Sequence, residues 1–267
     1  MLDHIIIGRY IPGNSYIHQM DPRAKLNCIM IFMVFIFVSK HPAVTAIAFV
    51  LAAAAFILAK IPFRFYLKGM KVIAIIIFFT FCLHLFMTEG GPVLLQTPVT
   101  TIYLGGLTEG LIVALRLLML VTMASLITLT TTPVDLTDGL EALLKPFQKL
   151  GLPTHELALM MSIALRFIPT LLEEAVKIYK AQMARGANFT EGSLLKRIKA
   201  FIPILVPLFV QSFRRAEDLA TAMEARGYEG GDSRTKYRLL RWKRRDTAAV
   251  AVFAAFAVLT VCVRLFL

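Results

Sequence analysis

The sequence predicts an all-α integral membrane protein with about five transmembrane helices and an interfacial region of one short and two long helices. Three observations predict it. The 267-residue chain is 58% hydrophobic with a mean hydropathy of +0.72, well above the roughly half-apolar composition of a soluble domain. Five segments are apolar over about the length of a membrane helix. Lys and Arg outnumber Asp and Glu by 29 to 17, and sixteen of the 29 lie between Lys177 and Arg245. Such clustering marks a cytoplasmic face beside anionic lipid rather than nucleic-acid binding.

The elements follow in order. Residues 1–13 lack the long apolar core and small-residue cleavage site of a removable leader. Apolar runs at 26–38 and 43–59 are separated by Lys40-His41-Pro42. Proline removes a donor and restrains its predecessor, so two short membrane helices joined by a tight turn are expected. Lys60, Arg64, Lys68 and Lys71 form a basic connection to a third helix at 72–88. The segment 89–106 holds Gly, Pro and Thr, no Lys or Arg, and no recognisable motif. A fourth helix spans 107–130 and the last 247–267. The basic connection is therefore placed inside and 89–106 outside. Arg23 and Lys25 put the N-terminus in the cytoplasm and leave the C-terminus external.

Residues 132–245 then form a cytoplasmic or interfacial region between a membrane region at 1–131 and the last span at 246–267. Thr132-Pro133-Val134-Asp135 opens the short helix, with Thr as N-cap, Pro at N1 and Asp in the first turn; it runs to about 149. Pro153 opens a long helix to Arg185, and Ser193 caps another to Arg226. Each would be about 50 Å long and is apolar in its first half. In their second halves Leu172, Val176, Tyr179 and Met183, and Phe209, Phe213, Ala216, Ala220 and Met223, form apolar stripes. Glu173–Lys177 and Arg214–Asp218 are spaced as i,i+4 ion pairs. Making the apolar halves membrane spans would move Lys177 to Lys199 outside, against the charge rule, so they are read as lying in or under the membrane.

Catalytic signatures are absent: no Walker A sequence, no HExxH, no GxSxG and no metal-ligand spacing of His or Cys. Cys28, Cys82 and Cys262 lie in apolar runs and read as small hydrophobes. Arg116 reads as an anchoring charge, with Glu109 or a backbone carbonyl as its partner. The two long helices instead share an ending. AQMARG closes the first and AMEARG the second. Gly186 and Gly227 let the chain turn off in the left-handed conformation. Ala184 and Ala225 keep the tips slim, so that Arg185 and Arg226 can present five-donor forks to an acidic groove. The plainer alternative, each arginine satisfying its own helix dipole, is weakened by the matched pair.

These pieces, with Asp21-Pro22-Arg23-Ala24-Lys25, GLIVALRLLMLV at 110–121, TTPVDLTDGLEALLKPFQKLGLP at 131–153 and LALMMSIALRFIPTLLEEA at 157–175, make the chain resemble the transmembrane T component of energy-coupling factor (ECF) transporters. The resemblance covers most of 20–230. It implies a non-catalytic scaffold and coupling subunit of an ATP-driven importer in the cell membrane. Two cytosolic ATPases, holding ATP and Mg, and a vitamin-binding S component in the membrane would be its partners, with no cofactor in this chain. It implies that Ala184, Arg185, Gly186, Ala225, Arg226 and Gly227 dock the ATPases. Leu165, Ile168, Pro169, Pro203, Leu205, Pro207 and Phe209 would face the S component. Asp21, Pro22 and Arg23 match a family motif expected to act as a structural tie near the start of the first helix. A shared, multi-vitamin system is favoured over a dedicated metal importer. A secondary transporter would need an ion site and usually repeated spans, and a membrane enzyme convergent polar residues.

Overall fold

The computed structural model describes residues 10–39, 41–96, 101–151, 153–187, 189, 193–228, 230 and 240–266, without the side chains of Arg64, Lys68, Leu95, Gln96 and Leu194. The expectations for residues 1–9, for Lys40 and for 97–100 lie outside the described residues. Two compact units divide the chain, Met1–Leu143 with Leu240–Leu267, and Leu144–Leu239.

The first unit is an up-and-down bundle. Helix α1 (Pro22–Val38) begins at Asp21, whose carboxylate accepts the Arg23 N–H, with Pro22 at its first position. Helix α2 (Pro42–Ala59) repeats the device with His41 and Pro42. Lys60 then takes a left-handed conformation (φ 51°). Helix α3 (Phe63–Met87) starts nine residues before its apolar run. Arg64, Lys68 and Lys71 therefore belong to its first turns, not to a loop. Lys and Arg are good helix formers, and no proline separates Phe63 from the apolar run. The segment at 89–106 also departs from expectation. It holds an antiparallel hairpin of β1 (Val93–Gln96) and β2 (Thr101–Tyr103), rich in the β-branched and aromatic residues that favour strands.

Helix α4 (Leu104–Thr130) follows β2 directly. Its glycines let it press on the end of α3. A Cβ on Gly105 would lie 2.6 Å from the Gly90 carbonyl oxygen, and one on Gly106 2.9 Å from those of His84 and Thr88. Helix α5 (Pro133–Leu144) ends earlier than expected, and a 3-10 turn (Lys145–Leu150) replaces its last residues. Pro146 has no N–H to continue the α ladder and its ring crowds the preceding turn; Gly151 (φ 88°) closes the segment. The first part of α5 clusters with the membrane bundle rather than with the long helices. Gly139 explains this: any side chain there would meet Pro22 and Leu26 of α1 at 3.1 Å. Helix α8 (Arg244–Phe266) completes the bundle.

Helix α1 lies at the centre. Phe32, fully buried, stacks on Phe256 (centroids 5.9 Å apart) and meets Phe253 edge-on. Ile36, Val44, Ala48, Met119 and Met123 fill the same layer. Ala24, Ala59, Leu126 and Leu129 form a second layer nearer the start of α1. Among the described residues four helices are long and apolar enough to cross a membrane: α2, Gly69–Met87 of α3, α4 and α8. Helix α1, with 17 residues, reaches only about 26 Å and is the short fifth member, with Met30, Val34 and Phe37 exposed on its outer face.

The second unit pairs α6 (Thr154–Ala184) with α7 (Leu194–Glu224). Glu174 forms an ion pair with Arg215, and the Gln182 Nε2 donates to the Pro203 carbonyl (3.4 Å). As the α6 numbers rise the α7 numbers fall, so the helices run antiparallel. Neither Glu173–Lys177 nor Arg214–Asp218 closes as an ion pair among the described residues; the link between helices is made one residue away from each. The stripe on α7 is likewise displaced. Phe209, Phe213, Ala216 and Ala220 are exposed, and the inward row is Ile204, Leu208, Ser212, Arg215, Leu219 and Met223. Both rows have helical spacing, and the inward one was obscured by containing Ser212 and Arg215.

Candidate functional site

The two Ala-Arg-Gly tips fold alike. At the end of α6 the Gly186 N–H donates to Met183 and the Ala187 N–H to Gln182, both at 3.0 Å. At the end of α7 the Gly227 N–H donates to Glu224 (2.9 Å) and the Tyr228 N–H to Met223 (3.1 Å). Each is a Schellman closure, in which the glycine and its successor satisfy carbonyls of the last turn. Gly186 (φ 85°) and Gly227 (φ 73°) supply the left-handed residue, and a Cβ at either would meet open space. Glycine is thus required there for its backbone freedom, not for space.

Arg185 and Arg226 occupy the same place in this motif, immediately before the glycine. Both side chains are exposed. Among the described residues neither guanidinium has a hydrogen-bond or ion-pair partner. The carbonyls of Gln182 and Met183, and of Met223 and Glu224, are already met by backbone N–H groups. Ala184 and Ala225 beside them are exposed as well. Because α6 and α7 are antiparallel and linked at Glu174–Arg215, each tip lies eleven residues beyond that link in opposite directions. The two arginines are therefore on the order of 30 Å apart.

Along the shafts, Pro169 lies inside α6, and Pro203 and Pro207 inside α7. Each deletes one ladder donor. Ile168, Leu205 and Phe209 are exposed (39, 48 and 61%), Pro169, Pro203 and Pro207 are exposed and Leu165 is half-buried. The structure thus leaves six of these seven on the outside of the helix pair. The tip of α6 is further fixed by Phe189, whose ring sits 4.8 Å from Tyr179 and 5.4 Å from Phe201, bridging the two helices.

In the membrane bundle Asp21, Pro22 and Arg23 belong to a polar knot. The Asp21 N–H donates to Asp246 Oδ1 (3.0 Å), and Asp246 Oδ2 accepts the Lys243 N–H (2.8 Å). Asp246 is fully buried. Each carboxylate sits at a helix start, where the macrodipole favours negative charge. Lys25 Nζ donates to the Thr130 carbonyl (2.9 Å) and to Thr131 Oγ1 (3.1 Å); it places a cation at the C-terminus of α4. Thr132 then opens α5, its hydroxyl bonded to Asp135. Starts and ends of four helices are thereby matched in charge within one cluster. Arg116 performs the same task elsewhere. Its NH2 donates to the Ser39 carbonyl (2.8 Å) at the end of α1, not to Glu109. Because α1 is short, that carbonyl lies beside the middle of α4, where no water would meet it. Among the described residues no three His, Cys, Asp or Glu side chains come together as a metal would need.

The family model described as cobalt transport protein, CbiQ, matches residues 13–237. A relative from Bacillus selenitireducens, named energy-coupling factor transporter transmembrane protein EcfT, is 60% identical over 96% of both chains. One of the same name from Bacillus subtilis is 50% identical over 97% of this chain and 98% of its own, and one from Staphylococcus aureus 46% over 97% of each. The chain belongs to the EcfT family. As an EcfT family member it is a multi-pass membrane component of an ECF transporter.

Sequence reasoning missed Asp246, the role of Lys25, the Glu174–Arg215 pair and Phe189. An acid at the third position of a 23-residue apolar helix was the available signal for Asp246, since such a charge needs partners. Nothing local announces Glu174–Arg215, which depends on how two helices cross.

Proposed function

We propose that this chain is the scaffold and coupling subunit of an ATP-driven vitamin or micronutrient importer. Its helix tips hold two cytosolic ATPases, and the apolar shafts of α6 and α7 seat a substrate-binding membrane partner. The observation that carries this reading is the pair of like-folded tips at opposite ends of an antiparallel pair, each with an exposed arginine that has no partner among the described residues. Two separate acidic grooves are the natural complement, because a guanidinium recognises carboxylates bidentately. A separation on the order of 30 Å suits one groove in each of two neighbouring proteins.

Orientation follows from charge. Arg23, Lys25, Lys60, Arg64, Lys68 and Lys71 gather at one end of the bundle, whereas 89–106 at the other has no Lys or Arg. The basic end is cytoplasmic, the N-terminus inside and the C-terminus outside. ATP and Mg bind in the partner ATPases, and this chain holds no cofactor. Closure of the ATPases moves the two grooves, the tips follow, and the shafts change the seat of the membrane partner. Such coupling requires the tips to be held differently in the two nucleotide states. The importer is read as a shared, multi-vitamin system, its specificity carried by the membrane partner.

Replacing both Arg185 and Arg226 by Ala should abolish co-purification with the ATPases, and each single change should weaken it. Recovery of intact complex from the double variant refutes the docking role. Leu205→Glu or Phe209→Glu should release the membrane partner while the ATPases remain bound; the reverse pattern refutes the shaft assignment.

A further inference from the structure

The membrane bundle contains an apolar hollow of about 310 Å³ lined by the segment before α1 and by α1, α2, α4 and α8. Tyr16 and Lys25 bring the polar side chains to its lining. The Lys25 ammonium is already bonded to Thr130 and Thr131, which leaves its methylene stem for the wall. At the rim, Leu58 and Val252 are about half exposed (51 and 50%), so the cavity opens sideways between α2 and α8. An apolar hollow of this kind does not hold ordered water, and left empty its walls lose their dispersion contacts.

The mouth carries charge. Lys60, exposed, lies two residues beyond the rim residue Leu58. Arg245 precedes the lining residues Ala248 and Ala249 by three and four positions on α8, hence on one helix face. Its Nη1 donates to Gln19 Oε1 (2.8 Å), and among the described residues its buried Nε has no partner. Tyr16, also at the rim, donates its hydroxyl to the Arg245 carbonyl (3.2 Å). Trp242, which is exposed, donates to Thr247. Tyr and Trp at one level, with cations beside them, mark the headgroup depth of a bilayer.

We propose that this cavity is a binding site for one anionic phospholipid, an acyl chain in the hollow and the phosphate between Lys60 and Arg245. The acyl chain supplies the missing wall contacts, and the exposed Lys60 and half-buried Arg245 supply the positive charge that a phosphate requires. The site involves neither the helix tips nor the shafts, so it stands independently of the coupling function.

The full chain, purified in detergent, is titrated with phosphatidylglycerol or phosphatidylcholine and read by native mass spectrometry. A one-to-one adduct is expected, with phosphatidylglycerol preferred by at least about tenfold. Lys60→Gln with Arg245→Gln should remove the preference, each cation accounting for about fivefold, while leaving an adduct of both lipids. Ala54→Leu and, from the opposite wall, Val252→Phe should each cut occupancy by both lipids at least tenfold. Circular dichroism and size-exclusion profiles identify any filler that misfolds, in which case the paired charge variant still decides. Equal binding of the two lipids by the unaltered chain overturns the proposal. So does an adduct population that folded filler variants leave unchanged.

Discussion

Helix ends in the membrane bundle and helix ends in the α6–α7 pair solve the same problem in opposite ways. In the bundle, side-chain cations cover terminal carbonyls: Lys25 takes Thr130 at the end of α4, and Arg116 takes Ser39 at the end of α1. In the pair, the backbone N–H groups of Gly186 and Gly227 and of the residues after them cover two carbonyls at each end, and among the described residues Arg185 and Arg226 stay uncommitted. Away from water an uncovered carbonyl costs several kcal/mol, so the bundle uses charged side chains as internal structure. Where the backbone closes the helix by itself, the same residue type remains available to another protein. An arginine at a helix end is informative about partners only once the closure beneath it is known.

The largest expected effect breaks the bundle side of that contrast. Asp246→Ala leaves the N–H groups of Asp21 and Lys243 without their acceptor and Lys25 among fewer anions. Removing one member of such a buried charged cluster destabilises by about 3–5 kcal/mol. Denaturant or SDS titration of the purified chain should show that loss, and a change below about 1 kcal/mol would mean that water already serves this knot.

How far the sequence reveals these features depends on the range of the interaction. Local signals were legible at Thr132-Pro133, read as a helix start, and at Lys40-His41-Pro42, read as the break between two helices, whereas Asp21-Pro22 was not read as the start that it is. The glycine-closed tips were equally readable. The hairpin at Val93–Gln96 was not, because three- and four-residue strands carry too short an alternation. The early start of α3 was hidden because basic residues read as a loop by charge, although they favour helix by conformation. The inward face of α7 was missed by one position, since Arg215 belongs to it only through Glu174 on the other helix. Of the candidate site, the residues at the tips were readable, whereas their separation and lack of partners required the pairing direction of α6 and α7.

A middle-sized effect tests the tip side. Gly186→Ala or Gly227→Ala forces a side chain into the left-handed region, at a cost of about 1–2 kcal/mol. No neighbour stands near either position, so the strain should be confined to the tip and lower the melting temperature only slightly. ATPase association should fall more than stability does. Equal losses in both would show the tip to be part of the fold.

His18 gives a smaller effect with a definite sign. Its Nε2–H donates to the Ile11 carbonyl (2.9 Å), and its Nδ1 lies 2.6 Å from the Ser15 hydroxyl, which can donate to the neutral ring. Burial lowers its pKa from the ordinary 6.5; the Ile11 hydrogen bond opposes this, and the Lys25 charge adds to it. A histidine with a lowered folded-state pKa stabilises fully above 6.5 and loses that contribution as the pH falls through the folded value. The melting temperature should therefore drop slightly below pH 6.5 in the parent chain, and His18→Gln should flatten that part of the profile.

The smallest effect is the most discriminating. If Arg185 and Arg226 served their own helices, replacing them would uncover carbonyls and destabilise the isolated chain by about 1 kcal/mol or more. Because Ala187 and Tyr228 already donate to Gln182 and Met223, Arg185→Ala and Arg226→Ala should leave stability within about 0.5 kcal/mol. Hydrogen exchange at the last turns of α6 and α7 should be equally unmoved. Added protection in the parent, lost on substitution, would mean that the guanidinium groups fold back in solution. The contrast between the two kinds of helix end would then disappear, and with it the reason to look for acidic grooves on a partner.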